Sequence, residues 1–464
     1  MSAGSSNKDG LFERTEPLKA LAVMALPTMA SQLVLLIYNL ADTWFIGRTD
    51  NPFMIGASSL VLTVYLALAA IANVFGVGGG SQMARLLGEK KTEQARKVAS
   101  YSIALSVLSA LVFSLLLFVF MSPILHLLGA SDNTFEYCRQ YLLMTAVLGG
   151  IPTVLSMSMP QLLRNAGYSK EAGLGVGLGS ILNIALDPLF MFVILPAGNE
   201  VLGAAIATFI SNVISFIYFV IIFRKVRNET VLTLPRRIEK IGTDDLRAVY
   251  SVGIPAALSI FLFDIVTIVI NRLAVSYGDI PLAAMGIVLK LERIPINIGL
   301  GVCLGMVPLI AYNYGAKNRE RMNSFFSLAR VAVIGFACLC MIVFWVFAEP
   351  ILSSFIDDGE TVRYGVMFIR GRCFSLPFMM IGYLIVNYMN AVNRGKVSLL
   401  LGILRHIVLI IPIMLVMNNV LGIDGLIWSQ LVADVINTIV VLAVYRRVSS
   451  RLIEVPVGNE GPIS

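Results

Sequence analysis

The chain has 464 residues, of which 57% are hydrophobic and 14% are charged, and its mean hydropathy is +0.84. About 25% of the residues of a soluble globular domain are charged, so a soluble core of this length could not enclose so much apolar surface. Lipid must therefore be the solvent. The formal net charge of +7 would suit a nucleic-acid-binding protein, but the distribution of the basic residues along the chain argues against that class.

Twelve apolar segments predict twelve transmembrane α-helices. About 20 apolar residues cross a bilayer as a helix, and the alternating pattern of a membrane-spanning strand is absent from the sequence. The segments lie at roughly residues 18–45, 55–84, 97–124, 138–163, 172–196, 201–223, 248–277, 282–312, 325–350, 364–390, 397–420 and 423–445. The expected fold class is an all-α membrane protein in contact with the lipid bilayer.

The basic residues gather in alternate gaps between these segments, for example from Arg85 to Lys97 and from Arg224 to Arg247. The other gaps hold mainly acidic residues, such as Asp357. Because Lys and Arg are enriched in cytoplasmic loops, we expect both termini in the cytoplasm, an even number of helices and no nucleic-acid partner. The first sixteen residues lack the apolar segment and cleavage site of a signal peptide.

The sequence contains an internal repeat. Pro27 in LAVMALPTMASQ matches Pro255 in YSVGIPAALSI, 228 positions later, and GAAIATFISN (203–212) matches GLIWSQLVAD (425–434), 222 positions later. Three further pairs fall between these offsets: 84–96 with 311–323, 149–167 with 374–392, and Pro188 with Pro412. The repeat indicates a duplicated six-helix unit.

The repeat and the long polar stretch between its copies predict the domain organisation. The predicted parts are a cytoplasmic tail (1–16), a first six-helix bundle (17–223), a cytoplasmic linker (224–247), a second six-helix bundle (248–446) and a second cytoplasmic tail (447–464). Six is an even number, so both bundles should have the same orientation, as in parallel-repeat transporters that place their site between the halves.

Ionisable residues inside apolar spans are costly and indicate function. The first half has two, Asp42 and Asp187, and Asn183 shares a helix face with Asp187 because it lies four residues earlier. At a rise of about 1.5 Å per residue, Thr208 and Asp187 both fall in the outer half of the bundle. These four residues suit a hard cation, or the two carboxylates could share a proton. Alternatively, Asp42 only ends its helix and the others only bond between helices.

The second half has a lone carboxylate in mid-span, Asp264, nine residues after Pro255. It could attract a cationic substrate, take part in coupling, or form an interhelical hydrogen bond. Asn271 stands within one residue of the position that the repeat gives to the counterpart of Asp42. Asp264 and Asn271 form the predicted substrate-binding set. Three charged residues in the eighth segment are expected to form salt bridges with one another: Lys290, Glu292 and Arg293.

Several other motifs favour a structural interpretation. The glycine string GVGGGSQ (76–82) resembles a nucleotide-binding loop, but no strand precedes it, and small residues allow close helix packing in membranes. His126 and His406 give no catalytic arrangement and are expected to be structural. We find no nucleophile with a neighbouring base and no ATP-binding motif. The sequence therefore predicts neither an enzyme nor a bound cofactor.

The chain resembles the multidrug and toxic compound extrusion (MATE) family over roughly residues 12–450. The resemblance rests on six stretches in order: NLADTWFIGR (39–48), VFGVGGGSQMARLLGEKK (74–91), LNIALDPLFMF (182–192), GAAIATFISN (203–212), GMVPLIAYNYGAKN (305–318) and GIDGLIWSQLVAD (422–434). It implies two six-helix bundles around a cavity that opens alternately to either side of a bacterial cytoplasmic membrane. It also implies export of small amphipathic drugs or metabolites by antiport with Na⁺ or H⁺, in a protein that functions as a monomer.

The resemblance also implies roles for particular residues. The cation site of the family's first half matches Asp42, Asn183, Asp187 and Thr208. Some members carry a carboxylate at the distance of Asp264 from the corresponding proline and use it for cations. The alternative within the same fold superfamily is a flippase of lipid-linked oligosaccharides. Flippases tend to have several cations in the cavity, whereas the mid-span charges of this chain are expected to be mainly acidic.

Overall fold

The computed structural model describes residues 9–49, 51–235 and 240–454, and in these ranges the regular structure is helical, with no strand. The first nine α-helices are Asp9–Glu13 (α1), Pro17–Gly47 (α2), Pro52–Gly88 (α3), Thr92–Val119 (α4), Met121–Leu127 (α5), Asp132–Leu142 (α6), Gly150–Asn165 (α7), Ser169–Leu189 (α8) and Glu200–Val226 (α9). The next nine are Thr243–Val275 (α10), Asp279–Gly315 (α11), Arg319–Val346 (α12), Ala348–Ser353 (α13), Gly359–Arg372 (α14), Leu376–Ala391 (α15), Gly395–Ile403 (α16), Ile411–Leu421 (α17) and Ile423–Glu454 (α18). Short π-helical segments follow α6, α8 and α16.

Eleven helical spans in the described ranges are long and apolar enough to cross a membrane. A twelfth crossing is formed if Asp132–Leu148 and Gly150–Asn165, which are bent by 57° relative to each other, are taken as one span. The bend lies where the π-helix Leu143–Leu148 meets Gly149. The expected all-α membrane fold is confirmed, and the expected number of twelve crossings is reached when the bent pair is counted as one span.

The local sequence explains where several helices begin and turn. Pro52 opens α3, and the side chain of Asn51 accepts a hydrogen bond from the N–H of Phe53 at 2.9 Å, which satisfies a donor that the first helical turn leaves free. Lys90 and Lys317 occupy the turns after α3 and α11, each with a positive φ (63° and 58°). They lie at equivalent positions of the repeat, so the two copies share a backbone detail as well as a sequence pattern.

The described residues form two compact units. The first contains the residues up to Phe261 together with Ile296–Ala332 and Asn387–Leu399, and the second contains Leu262–Pro295, Val333–Val386 and the residues from Leu400 onward. The core of the first unit includes the completely buried side chains of Leu68, Val154, Met83, Leu162 and Phe219. The predicted boundaries of the two sequence repeats stay a prediction.

Within the first unit, glycines let helices of both repeats touch through their backbones. A Cβ atom on Gly88 of α3 would overlap the carbonyl oxygen of Tyr312 on α11, and a Cβ on Gly315 would overlap that of Arg85. Gly253 of α10 meets the carbonyl of Val74 in the same way. Small residues permit this close approach, which provides van der Waals contact in lipid.

The first helix docks onto α11 and α12 of the first unit, and we call this contact the N-terminal clasp. The ring of Phe12 stacks on Tyr312, with centroids 4.8 Å apart. Glu13 forms an ion pair with Lys90 and accepts a hydrogen bond from the Tyr312 hydroxyl at 2.7 Å. Arg321 donates to the carbonyl oxygen of Thr15 at 2.8 Å. Hydrogen bonds from Lys90 and then Tyr312 hold the pKa of Glu13 below its usual value.

Candidate cation site

The structure brings together the four residues that were predicted to form a cation site in the first half. Asp42 lies on α2, Asn183 and Asp187 lie on α8, and Thr208 lies on α9. Asn183, Asp187 and Thr208 are buried, with Asp187 completely so, whereas Asp42 is half-buried. The spacing of four residues between Asn183 and Asp187 places both side chains on one face of α8.

Three of these side chains are directly connected. The amide of Asn183 satisfies both of its neighbours when its nitrogen faces Asp187 and its oxygen faces α9. In that orientation the nitrogen donates to Asp187 Oδ2 at 2.8 Å, and the oxygen accepts from the backbone N–H and the hydroxyl of Thr208, both at 3.2 Å. Asn183 therefore links Asp187 on α8 to Thr208 on α9.

Asp42 completes the cluster through its charge. It lies close enough to Asp187 for the two carboxylates to repel each other. Asp42 Oδ1 and Asp187 Oδ1 are both buried, and neither has a hydrogen-bond partner among the described residues. None of the salt bridges in the described part of the chain involves either aspartate. A buried charge without a partner costs several kcal/mol, so this arrangement favours uptake of a cation or a proton.

Three tyrosines that the sequence interpretation missed lie within electrostatic range of Asp42. Tyr38 on α2, Tyr65 on α3 and Tyr141 on α6 all interact electrostatically with Asp42. Tyr38 lies four residues before Asp42, so the helical period could have identified it. The other two come from separate helices, and no spacing in the sequence relates them to Asp42.

The backbone next to the site is irregular. Pro188 follows Asp187 directly and removes a donor from α8, and the π-helix Phe190–Ile194 begins two residues later. Gly203 of α9 faces this segment, where a Cβ atom would approach the Cα of Met191 to 2.8 Å. The glycine thus allows α9 to pack against the π-helix and carries Thr208 towards Asn183. Single π-helical turns inside helices are frequent at functional sites.

The predicted substrate residues of the second half lie on α10, in the second unit. Asn271 is exposed, and the side chain of Asp264 lies outside the described residues. The two positions are seven residues apart, which places them on one helix face about 10 Å apart along the axis. Their assignment to substrate binding stays a prediction.

The second unit holds buried ion pairs that the sequence interpretation did not anticipate. Arg372 of α14 donates to both carboxylate oxygens of Glu292 at 2.7 and 2.8 Å, and also to Gln430 Oε1. The expectation that Glu292 would pair with Lys290 or Arg293 was wrong, because residues one and two positions apart do not face each other on a helix. Arg372, 80 residues away in the chain, supplies the partner.

The second buried pair joins Arg405 and Asp434. Arg405 donates to both oxygens of Asp434 at 2.7 and 3.2 Å. His406 Nδ1 donates to the carbonyl of Gly402 at 2.9 Å, so its Nε2 accepts from Arg405, also at 2.9 Å. His406 therefore has the structural role that was expected. The expectation that the mid-span charges would be mainly acidic did not foresee Arg372 and Arg405.

Together the helical spans and the buried polar clusters define a multi-pass membrane protein. The MatE family model matches the chain twice, over residues 27–189 and 255–416. The chain therefore belongs to the MatE family, and the double match agrees with the internal repeat.

Known relatives and solved structures agree with this placement. The chain is 32% identical to the multidrug export protein MepA of Staphylococcus haemolyticus, over 95% of this chain and 96% of that one. It is 31% identical to MepA of Staphylococcus aureus over 91% and 92% of the two chains. Its fold is similar to an outward-facing multidrug resistance MATE transporter (TM-score 0.91, 23% identity, covering 97% and 100%). It is also similar to a transporter from Pyrococcus furiosus described as having reversed binding-pocket polarity (TM-score 0.88, 23% identity, covering 97% and 100%).

Proposed function

We propose that this protein is a secondary active multidrug exporter, not an enzyme, which expels small amphipathic and often cationic molecules in exchange for Na⁺ or H⁺. The observation that carries the proposal is the pair of buried carboxylate oxygens on Asp42 and Asp187 that have no partner among the described residues. The relatives named as multidrug export proteins support the substrate class, namely small-molecule drugs or metabolites.

The coupling ion binds from the outside among Asp42, Asn183, Asp187 and Thr208. The two carboxylates and the Thr208 hydroxyl supply oxygen ligands that hard cations prefer, and the Asn183 amide adds its oxygen when it rotates away from Thr208 towards the ion. A shared proton would relieve the same repulsion between the carboxylates. An ion shifts a conformational equilibrium only by its different affinities for the two states. A site with Asp42 near Asp187 in one state and apart from it in the other supplies that difference.

The moving element in this proposal is α2, which carries Asp42. Pro27 interrupts the helix by removing a backbone donor. The segment around it is tied to α8: Ser169 of α8 donates to the carbonyl of Met24 at 2.6 Å, and the hydroxyls of Ser169 and Thr28 lie 2.9 Å apart. These bonds give the bend a fixed inner end, so the outer part of α2 moves relative to α8. Alternating access of a central cavity follows from this motion.

The protein acts in the bacterial cytoplasmic membrane as a monomer, with both termini in the cytoplasm. The alternating basic loops support this orientation, and the staphylococcal relatives support the bacterial setting. The alternative of a lipid-linked oligosaccharide flippase is less well supported. In the described part of the second unit, the buried arginines Arg372 and Arg405 are each paired with a carboxylate, so these pairs contribute no net positive charge that would attract a pyrophosphate group.

Transport by purified protein in proteoliposomes tests this proposal. Export of a fluorescent organic cation is measured with a sodium gradient and a pH gradient imposed separately. We expect one of the gradients to drive accumulation in the wild type, and neither to drive it in Asp42→Asn. The Asp132→Asn variant is the matched control, because Asp132 is an exposed carboxylate of the same half. Equal accumulation with and without both gradients would refute ion-driven antiport.

A further inference from the structure

The ion pairs of the second unit lie at positions that the internal repeat relates to the cation site. The matched motifs set the offsets at 227 for the second helix of each half and 222 for the last. They make three residues of the second half equivalent to residues around the first-half site: Glu292 to Tyr65, Gln430 to Thr208, and Asp434 to Asn212. Tyr65 interacts electrostatically with Asp42, and Asn212 donates to the Thr153 hydroxyl at 3.0 Å. The two halves therefore place polar groups in corresponding regions.

The charges in these regions are distributed differently. The repeat offset of 224 places Ile411 at the position of Asp187, so the second half has lost that carboxylate. Two carboxylates of the second half, Glu292 and Asp434, stand where the first half has uncharged side chains. Both are buried, and each is held by a buried guanidinium.

The surroundings of Arg372 resemble those of a bound cation. Its guanidinium is contacted by three oxygens, two from Glu292 and one from Gln430. Arg372 is 2% exposed, so water does not replace these contacts. A carboxylate is also the ligand type that Asp42 and Asp187 offer in the first half. The planar guanidinium satisfies such oxygens permanently because it stays charged at every physiological pH.

We propose that the guanidinium groups of Arg372 and Arg405 act in the second half as tethered cations, that is, as covalently attached replacements for the coupling ion of the first half. The second half then takes up no ion, and removal of Arg372 converts it into a second cation site formed by Glu292 and Gln430. This inference rests on the proposed function, because it assumes that the first-half cluster is the one that exchanges ions. A purely structural salt bridge would hold helices together equally well, but its removal would not create a stoichiometric cation site.

Equilibrium binding to the purified full-length protein in detergent tests the inference. Bound Na⁺ is counted with radioactive sodium at pH 8, and proton uptake is counted with an indicator between pH 8 and pH 6. We expect Arg372→Met to bind one more cation per molecule than the wild type, either Na⁺ or a proton. The double variant Arg372→Met with Glu292→Gln should return to the wild-type number. Arg370→Met is the matched control, because Arg370 is an exposed arginine on the same helix.

The outcomes separate this inference from the proposed function. A folded Arg372→Met protein with wild-type stoichiometry would overturn the tethered-cation proposal. If Asp187→Asn binds as many cations as the wild type, the proposed coupling site fails, while the comparison of the Arg372 variants still decides the inference.

Folding of the test variants is itself informative. Loss of Arg372 leaves Glu292 buried and unpaired, so the variant should be unstable without sodium at pH 8 and should be stabilised by Na⁺ or acid, because a ligand that binds only the folded state raises its stability. The same test is repeated at the other ion pair with the single variant Arg405→Met and the double variant Arg405→Met with Asp434→Asn. If both single variants stay unfolded at every sodium concentration and pH, the inference is also overturned, since a cation that filled either site would rescue folding.

Discussion

Asp187 in the first half and Asp434 in the second are both completely buried, yet they have opposite surroundings. Asp434 receives two hydrogen bonds from Arg405. Asp187 has one amide neighbour, a second carboxylate within electrostatic range, and one oxygen without a partner in the described part of the chain. A carboxylate with a built-in counter-charge already has its charge compensated. One without it can respond to an ion that arrives and leaves.

The contrast shows why burial of a charge is insufficient to identify a coupling site. Transporters need a charge whose free energy differs between two states, and a closed ion pair moves with its helices as a neutral unit. Under the proposed function, we therefore expect ion exchange at the cluster around Asp187 and rigidity at the pairs around Arg372 and Arg405.

The largest expected effect is on transport. Asp187→Asn should reduce gradient-driven export to the level of empty liposomes, because it removes one of the two charges that the ion must neutralise. Binding of drug to the purified variant should largely survive, since the substitution leaves the second unit unchanged. The measurement is uphill accumulation of a fluorescent cation together with equilibrium drug binding. Near-normal uphill transport by this variant would remove Asp187 from the coupling site.

The same substitution in the two halves should have opposite effects on stability. Asp434→Asn leaves Arg405 buried without its counter-charge, and breaking a buried pair costs about 3–5 kcal/mol. Asp187→Asn removes a repulsion and should leave the protein as stable as the wild type or more stable at pH 8 without sodium. Thermal unfolding in detergent measures both. Equal destabilisation by the two variants would contradict the distinction between a buried carboxylate that is paired with an arginine and one that is not.

A smaller, selective effect is expected at Asp264. A carboxylate in a low-dielectric cavity attracts a cationic substrate, so Asp264→Asn should reduce export of cationic compounds several-fold more than export of neutral ones. Asp279→Asn, an exposed carboxylate on α11, is the control. Export rates for one cationic and one neutral substrate of similar size give the comparison. An unchanged preference would exclude Asp264 from substrate recognition.

The least perturbing test concerns the shared orientation of the two halves. Cysteines introduced at Thr243 before α10, at Ser449 near the end of α18, and at Ser5, which lies outside the described residues, should all face the cytoplasm. An impermeant thiol reagent applied to intact cells should leave all three unlabelled and should label them after the cells are opened. External labelling at Thr243 alone would mean that the two halves have opposite orientations.

Much of this architecture could be predicted from the sequence, because lipid enforces long apolar spans and the helical period fixes which residues share a face. Asn183 and Asp187 were found in this way, and the repeat indicated the duplication. Tyr65, Tyr141 and the Glu292–Arg372 pair could not be found, since they join helices that no sequence spacing relates. The docking of α1 was missed because a helix of five residues has too short a periodic pattern to indicate which surface it contacts.

The N-terminal clasp has a consequence for biosynthesis. Glu13 leaves the ribosome early, but its partner Tyr312 follows 299 residues later, near the end of the eighth crossing. At about 5–20 residues per second, translation alone separates the two by about 15–60 s. During that interval Glu13 can reach only Lys90, 77 residues after it, and Phe12 lacks the ring of Tyr312 on which it stacks, so the docking of α1 stays incomplete while most of the helices are already being inserted. Closure of the clasp thus marks a late step of assembly, and any chain that stops before α11 is complete leaves its first helix without its binding surface.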